Sequence, residues 1–513
     1  MGQIIGIDLG TCYSAVACLD DTGRPHIVHN RDGQNITASC VDVSTEPLTV
    51  GEIPYKEWGL KPNVVAARFK LQMGSSKPFH PEMGDPTFKP SQGSYTPTDL
   101  SSIVLDHLKK FTEEKGGKIS EAVVTVPANW GNEAREATMA AAKQADLPVK
   151  VIINEPTAAA LYYAFKEGLA NGNYAVFDLG GGTFDISIVK ITGTDVEVLG
   201  SSGIQRLGGD DFDKALRKKI SEKCKMEHSV DIPEDSDELT KLEAEVVKKT
   251  LSSRPEASAK VGRLRIVVTR QEFESLIADK LAQLKMLCEG VIDDLNMRPE
   301  DISAPILVGG STRIPCVRSL VQKVFKKDPI VTANVDEVVA LGAAIYAARH
   351  ADKTNLSPLQ AQAISKVTIQ ERTGKFLGTL SMRANENRGG ERELVNSIII
   401  PKGQKLPARA SRSFYTHHEG QTKVQCRVTE SENEEIDPKC VTILNEEDSD
   451  SSMLSLPPNR PAQQEIKVTY EYLIDQTIRC FFEDVASGLK KEFVISLSQK
   501  KASHSSVKKF TVE

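Results

Sequence analysis

Asp178 follows an apolar run, A-V-F at 175–177, and leads through Leu179 into three consecutive glycines, Gly180, Gly181 and Gly182. Glycine has no Cβ, so such a run lets backbone N–H groups come close to an anion such as phosphate. A carboxylate at the end of a strand suits a hydrated metal ion. Thr183 and Asp185 add a hydroxyl and a second carboxylate just beyond it. Strand, glycine turn and oxygen donors together are nucleotide chemistry; taken alone, the stretch also reads as a plain glycine-rich hairpin.

Residues 4–17, I-I-G-I-D-L-G-T-C-Y-S-A-V-A, repeat the pattern. Asp8 answers Asp178, and Gly10, Thr11, Cys12 and Tyr13 form the turn. An echo at a spacing of about 170 residues suggests two related lobes, each offering a phosphate-binding hairpin to one cleft. Two more glycine turns lead toward helices: Gly208 and Gly209 in L-G-G-D-D-F-D, with a helix over 214–223, and Gly309, Gly310, Ser311 and Arg313 in I-L-V-G-G-S-T-R-I-P. Asp336 precedes a small-residue run, A-L-G-A-A-I-Y-A-A, that predicts a tightly packed helix.

Other elements bring single groups to this cleft. Lys70 is a mobile point charge suited to a γ-phosphate or its attacking water, and equally a solvated surface lysine. The β-branched run E-A-V-V-T-V is closed by Pro127, and a helix-forming stretch containing Arg135 follows. V-K-V-I-I-N predicts a short strand ending where Pro156 opens a helix, which puts Glu155 at the junction, as a catalytic or a helix-capping carboxylate. Glu245, Lys248, Lys249 and Ser252, at i, i+3, i+4 and i+7, share one helix face, either ligand-facing or a solvated row of Glu–Lys pairs.

The length of 513 residues suggests about three domain-sized units. With 70 acidic against 64 basic residues, the net charge of −6 gives no support for nucleic-acid binding. Nine scattered cysteines without a C-x-x-C pair indicate neither a zinc site nor a disulfide framework, and a reducing compartment is the simpler inference. The N-terminus enters an apolar strand without a basic n-region, and no run of eighteen apolar residues occurs, so a soluble cytoplasmic protein is expected. Gly2 would suit myristoylation, but Gly6 stands where that motif wants Ser or Thr.

In this order the motifs resemble the seventy-kilodalton heat-shock chaperone family, on the actin and sugar-kinase ATPase fold. The carriers are G-I-D-L-G-T at 6–11, Lys70, V-P-A at 126–128, I-I-N-E-P-T-A-A-A at 152–160, D-L-G-G-G-T-F-D at 178–185, L-G-G-D-D-F-D and V-G-G-S-T-R-I-P. The resemblance implies an α/β two-lobed actin-like ATPase domain over 1–350, a linker over 351–366, an all-β peptide-binding sandwich over 367–497 and a flexible basic tail over 498–513. It implies ATP or ADP as ligand, with magnesium held by Asp8 and Asp178 through water and potassium as a further candidate ion. Lys70, Glu155, Asp178, Thr183 and Asp185 would surround the γ-phosphate and position the attacking water. Backbone amides at Thr11 to Tyr13 and Gly180 to Gly182 would cradle phosphates. Glu245, Lys248, Lys249 and Ser252, with Gly310, Ser311, Arg313 and Asp336, would form the adenosine pocket. Pro127 and Arg135 match the family's nucleotide-sensing switch. Partners would be extended client peptides, a J-domain co-chaperone and a nucleotide-exchange factor.

The departures carry expectations of their own. Cys12 replaces the usual Thr but keeps its backbone amide. Lys249 replaces an adenine-stacking arginine, which predicts weaker nucleotide affinity. Val151 replaces the arginine used to engage a J-domain, and the linker lacks a leucine-rich run, keeping only Leu356, Leu359 and Ile364. Beyond it, period-two alternation predicts strands: Val424, Cys426 and Val428; Ile466, Val468, Tyr470 and Tyr472; Phe493, Ile495 and Leu497. Acidic loops such as E-S-E-N-E-E-I-D-P read as solvated surface or as a selector of basic peptides. The family's helical lid finds no counterpart in the 16 residues after Leu497, so bound peptide is expected to leave faster. The function implied is an ATP-dependent chaperone with slow hydrolysis. The alternative is a nucleotide-sensing cofactor or scaffold with one dedicated partner, and a sugar kinase or filament former stands third.

Overall fold

The computed structural model describes residues 2–80, 88, 94–233, 239–331, 334–365, 369–370, 372–385, 391–445, 450–473, 477–495 and 512. The chain forms two compact units, one of Met1–Ala128, Ala137–Ile369 and Ser506–Glu513, the other of Asn129–Glu136 and Gln370–Ser505.

In the first unit, β1 (Gln3–Asp8) and β2 (Tyr13–Leu19) form an antiparallel hairpin with Asp8 opposite Ala15. β3 (Pro25–Ile27) flanks β2, while β4 (Ile119–Val126) runs parallel to β1 and β5 (Val149–Asn154) parallel to β4. A second sheet repeats this plan. β6 (Gly172–Leu179) and β7 (Phe184–Thr192) form a hairpin with Asp178 opposite Asp185, β8 (Asp195–Ile204) flanks β7, and β9 (Ile302–Val308) runs parallel to β6. Ile306 of β9 bridges Ile330 in parallel, at the place β5 takes in the first sheet. The repeated hairpin in the sequence is thus the visible end of a repeated sheet.

Strands buried on both faces need apolar side chains on both, which is why β1 and β6 read as near-continuous apolar runs. Along β6 successive residues enter different cores: Val176 packs with the helices Glu155–Tyr162 and Val338–His350, whereas Ala175 and Phe177 pack with Phe212, Leu216 and Val247. The first of these cores depends on small residues. A Cβ on Gly342 would stand 1.7 Å from the Ala158 carbonyl oxygen, and one on Gly6 would stand 2.1 Å from the Ala344 nitrogen. Helix against helix, and helix against strand, therefore meet backbone to backbone.

The helix expected over 214–223 runs from Gly209 to His228. The stretch expected as a linker is folded onto the first unit. Leu356 and Ile364 are buried in its core, Ser357 caps the helix Pro358–Ile364, and Gln360 donates to the carbonyls of Leu19 and Asp20. Ile369, the last residue of this part of the first unit, sits in a short strand at the outer edge of β8. Polar composition suggested a spacer; three well-placed apolar and capping residues are enough to dock it.

The second unit has two four-stranded antiparallel sheets. β10 (Phe376–Asn385), β11 (Glu391–Ile400), β13 (Thr429–Ser431) and β14 (Thr442–Ile443) make one, in the order β11-β10-β13-β14. β12 (Ala408–Tyr415), β15 (Glu465–Tyr472), β16 (Ile478–Asp484) and β17 (Lys490–Ile495) make the other, in that order. The inward residues of both share one core, in which Leu377 and Ile399 meet Ile466, Val468, Tyr470 and Phe482. Tyr470 satisfies its buried hydroxyl by donating to the Gly378 carbonyl at 2.7 Å. Cys426 and Val428 join this core, whereas Leu497 lies outside the described residues, as do the residues of 498–513 other than Val512. Among the described residues no helix is long and apolar enough to cross a membrane.

The small-residue contact makes a direct prediction. Gly342→Ala should destabilise the first unit by about 1–3 kcal/mol or more, as overpacking does in a tight core. A thermal melt with an unchanged midpoint would show that the two helices can part at no cost.

Candidate functional site

The hairpin tips of the two sheets face each other across a cavity of about 900 Å³. The approach is close: a Cβ on Gly181 would stand 1.9 Å from Cys12 Sγ, so the thiol would have to turn away. The β1–β2 turn is braced from behind: Ser39 donates to the Gly10 carbonyl at 2.8 Å, and Ser14 accepts from the Gly10 amide at 3.2 Å. In the opposite turn the Gly180 amide donates to the Thr183 carbonyl, so it is committed within the hairpin. The Gly180 carbonyl accepts from Gly209 N at 3.1 Å and from Ser311 Oγ at 2.8 Å.

Of the residues singled out in the sequence, Asp8, Gly10, Thr11, Cys12, Tyr13, Lys70, Glu155, Asp178, Gly180, Gly181 and Thr183 line this cavity. So do Glu245, Lys248, Lys249, Ser252, Gly309, Gly310, Ser311, Arg313 and Asp336. Gly182, Gly208, Gly209, Asp185, Pro127 and Arg135 are not among the lining residues. Gly208 backs the triple-glycine turn, where a Cβ would stand 2.5 Å from the Gly181 carbonyl oxygen. Arg135 is buried in the second unit, its Nε donating to the Trp130 carbonyl at 3.1 Å, and Val151 is half-buried in β5 opposite Val123.

At one end of the cavity the charges are unbalanced. Lys70 Nζ lies 2.6 Å from Glu155 Oε1, both side chains buried. Glu155 is there because β5 ends at Asn154 and the helix begins at Glu155 with Pro156 in its first turn. Thr125 donates to Asp8 at 2.9 Å. Burial, reinforced by the Glu155 charge, pushes Asp8 up to about 7. Burial and the same charge push Asp185 up to about 8 and hold Asp178 well above the ordinary carboxylate range. Burial opposes the charge on Lys70, yet Glu155 and Asp8 hold its pKa above the ordinary lysine value. Asp185 Oδ1 is buried with no hydrogen-bond partner. Buried carboxylates that outnumber their cation and leave an oxygen unsatisfied are a donor set for a hydrated divalent ion. The residues fit magnesium on that ground.

The other end is aromatic and carries ion pairs. Lys249 Nζ lies 2.8 Å from Glu245 and 5.7 Å from the centre of the Tyr13 ring, and the Tyr55 hydroxyl donates to Glu245. Tyr13, Tyr55 and Trp58 follow one another at 5.6 and 6.3 Å between ring centres. Lys248 lines the cavity but holds Asp213 at 2.6 Å and the Gly209 carbonyl at 2.9 Å, and Arg313 holds Asp336 at 2.9 Å. Burial pushes the Cys12 thiol up to about 12, so it stays neutral beside the phosphate turns.

Tyr55, Arg68 and Asp210 were not anticipated. Arg68 donates twice to Asp210, at 2.5 and 2.8 Å, with its guanidinium 4.7 Å from the Trp58 ring centre. The signal for these contacts is E-I-P-Y-K-E-W, with Tyr55 on a short helix and Trp58 just past its end, a pattern that gains meaning only from what it packs against.

Known proteins match almost the whole chain. The model of the Hsp70 protein family matches residues 4–513. Chaperone protein DnaK of Thermotoga neapolitana is 33% identical over 508 residues, covering 96% of this chain and 80% of the relative. DnaK of Thermosipho africanus is 33% identical over 507 residues, with the same coverage of 96% and 80%. DnaK of Mycoplasmopsis agalactiae is 35% identical over 443 residues, covering 84% of this chain and 69% of the relative.

The raised carboxylates predict how the ligand-free protein responds to pH. Unfolded, Asp185 titrates near 3.8; folded, near about 8. The folded chain keeps a proton that the unfolded chain sheds, so this group's contribution to stability falls as pH rises between those values. Asp185→Asn removes the dependence. Its stability relative to the parent should rise from pH 5 to pH 8, by up to about 1.4 kcal/mol per pH unit, in denaturant titrations without ligand. A difference that stays flat across that window would mean the carboxyl is ionised throughout.

Proposed function

The chain belongs to the Hsp70 family, and from that premise we propose that the cavity between the two hairpins is where ATP binds and is cleaved. The protein is an ATP-dependent chaperone with ATPase activity, binding nucleotide with magnesium. The observation that carries the residue assignment is the meeting of Asp8, Lys70, Glu155 and Asp178 at one end of a cavity whose turns come from two matching hairpins, with the buried, unpartnered Asp185 carboxylate behind them. In this reading the first unit is the two-lobed actin-like ATPase and the second is the peptide-binding sandwich.

Magnesium, when bound, neutralises phosphate charge; Asp8 and Asp178 would hold it through water. Lys70 places an ammonium at the γ-phosphate. Glu155 keeps that ammonium oriented at 2.6 Å and, with Asp185 and Thr183, fixes the attacking water. Phosphoryl transfer of this kind needs positioning and electrostatic stabilisation rather than a covalent intermediate. The turns at Thr11–Tyr13 and Gly181–Gly182 would take the phosphates, with Gly180 held within its own hairpin. Tyr13, Glu245, Lys249, Ser252 and Arg313 would enclose the adenosine, and a potassium ion beside the phosphates completes the reading. Pro127 and Arg135 would report the nucleotide state.

As a family member the protein binds client peptides and works with co-chaperones. Its cytoplasmic location, and a J-domain contact weakened by Val151, are parts of the proposal. The DnaK relatives do not favour the alternative of a scaffold with negligible turnover.

Two measurements test the reading. Lys70→Ala should abolish single-turnover hydrolysis while leaving ATP binding within a few-fold of the parent; normal turnover would remove Lys70 from the reaction. ATP should accelerate release of a labelled model peptide from the full chain, by tenfold or more. Release that ignores ATP would leave an ATPase without chaperone coupling.

A further inference from the structure

Lys70 stands on a short turn, Phe69–Gln72, whose preceding residue makes a connection of its own. Arg68 follows the strand Val65–Ala67, which pairs with Cys40–Asp42 just after the Ser39 that braces the Gly10 turn. Its φ of 65° lies in the left-handed region, which bulky side chains rarely enter. Ala67 and Phe69 on either side are buried, the Phe69 ring 6.3 Å from that of Phe79. The Arg68 carbonyl accepts from the Leu71 amide at 3.1 Å, and the Lys70 carbonyl from the Met73 amide at 3.2 Å. The backbone that turns at Arg68 is therefore the backbone that brings Lys70 to Glu155.

The side chain of Arg68 goes to the other half of the cleft. Asp210 lies in the first turn of the helix Gly209–His228, and its amide donates to the Gly181 carbonyl at 2.7 Å. Arg68 Nε and Nη2 donate to its two carboxylate oxygens, at 2.5 and 2.8 Å. Such a bidentate pair fixes orientation as well as distance. Behind it the Trp58 ring lies 4.7 Å from the guanidinium and 4.9 Å from Lys241 Nζ. The remaining nitrogen, Nη1, is buried without a hydrogen-bond partner. A left-handed backbone and an orphaned donor are two costs at one residue, and strain of that kind persists only where its surroundings impose it.

We propose that Arg68 is a positioning residue for hydrolysis: its pairing with Asp210 across the cleft holds the left-handed turn, and the turn holds Lys70. Lys70 is then in place only when the two halves of the cleft are closed on each other. The proposal rests on the reading of Lys70 as the γ-phosphate cation. Arg68 acts through Lys70 and touches no phosphate itself.

Amide exchange without ligand and single-turnover hydrolysis, both on the full chain, test it. Arg68→Ala and Asp210→Asn each break the bidentate pair from one side. Both should speed exchange of the Leu71 and Met73 amides at least fivefold. Both should lower the single-turnover rate at saturating ATP at least tenfold while ATP affinity stays within threefold of the parent. Asp210→Glu, which keeps the carboxylate, should retain the rate within threefold. Unchanged exchange would mean that the turn stands without the pair, and would overturn the proposal. A loss confined to ATP affinity, with a normal rate at saturation, would make Arg68 a binding residue and overturn it as well. Exchange is read without nucleotide, so a parent chain that failed to hydrolyse ATP would remove the ATPase reading and leave the hold of Asp210 on the turn to be judged by exchange.

Discussion

Glu155 and Asp185 are buried, and Asp8 and Asp178 half-buried, beside the ammonium of Lys70, which already belongs to Glu155 at 2.6 Å. Removing a carboxylate from water is costly unless a cation or a proton compensates it. In the ligand-free chain protons supply part of that compensation, which is why Asp8, Asp178 and Asp185 titrate far above the usual range. The cluster is thus held in a state that favours arrival of a hydrated divalent ion with its anionic ligand. A site tuned in this way gives up some stability when empty and recovers it through binding, since a ligand that binds only the folded state stabilises it by mass action.

Keeping those carboxylates together is a packing problem. Asp8 and Asp178 end matching strands in different sheets, and the helices Glu155–Tyr162 and Val338–His350 lie in the core between them. Gly6 and Gly342 let these helices approach backbone to backbone, and Gly181 lets the hairpin tips meet. Each added methyl would push apart elements that hold these carboxylates in place. The small residues therefore determine where the carboxylates lie.

The far wall of the cavity follows a different principle. Tyr13 supplies flat apolar surface, with Tyr55 and then Trp58 packed beyond it, while Lys249–Glu245, Lys248–Asp213, Arg68–Asp210 and Arg313–Asp336 pair most of the nearby charge internally. An aromatic and charge-paired wall suits a neutral base, and an electrostatically loaded end suits phosphates and metal. One cavity thus presents two chemistries at its two ends.

The sequence by itself was enough to identify the paired Asp-glycine hairpins, the alternating strand Glu465–Tyr472 of the second unit and the face made by Glu245, Lys248, Lys249 and Ser252, whereas the strand expected through Val424, Cys426 and Val428 stops at Gln425. These depend on local periodicity and on residues within one or two turns of each other, which the chain carries explicitly. It was also enough to indicate the family, because the motifs recur in a fixed order. Tertiary structure alone decided the rest. Lys248 turned inward to Asp213, the Gly180 amide closed its own hairpin, residues 353–364 docked instead of spanning, and Tyr55 and Arg68 joined the site from a stretch with no motif. In each case the partner lies many residues away or is a backbone group, and neither is written in the local pattern. The carboxylate pKa values have the same origin: burial and the approach of Glu155 set them, and both exist only once the two sheets have come together.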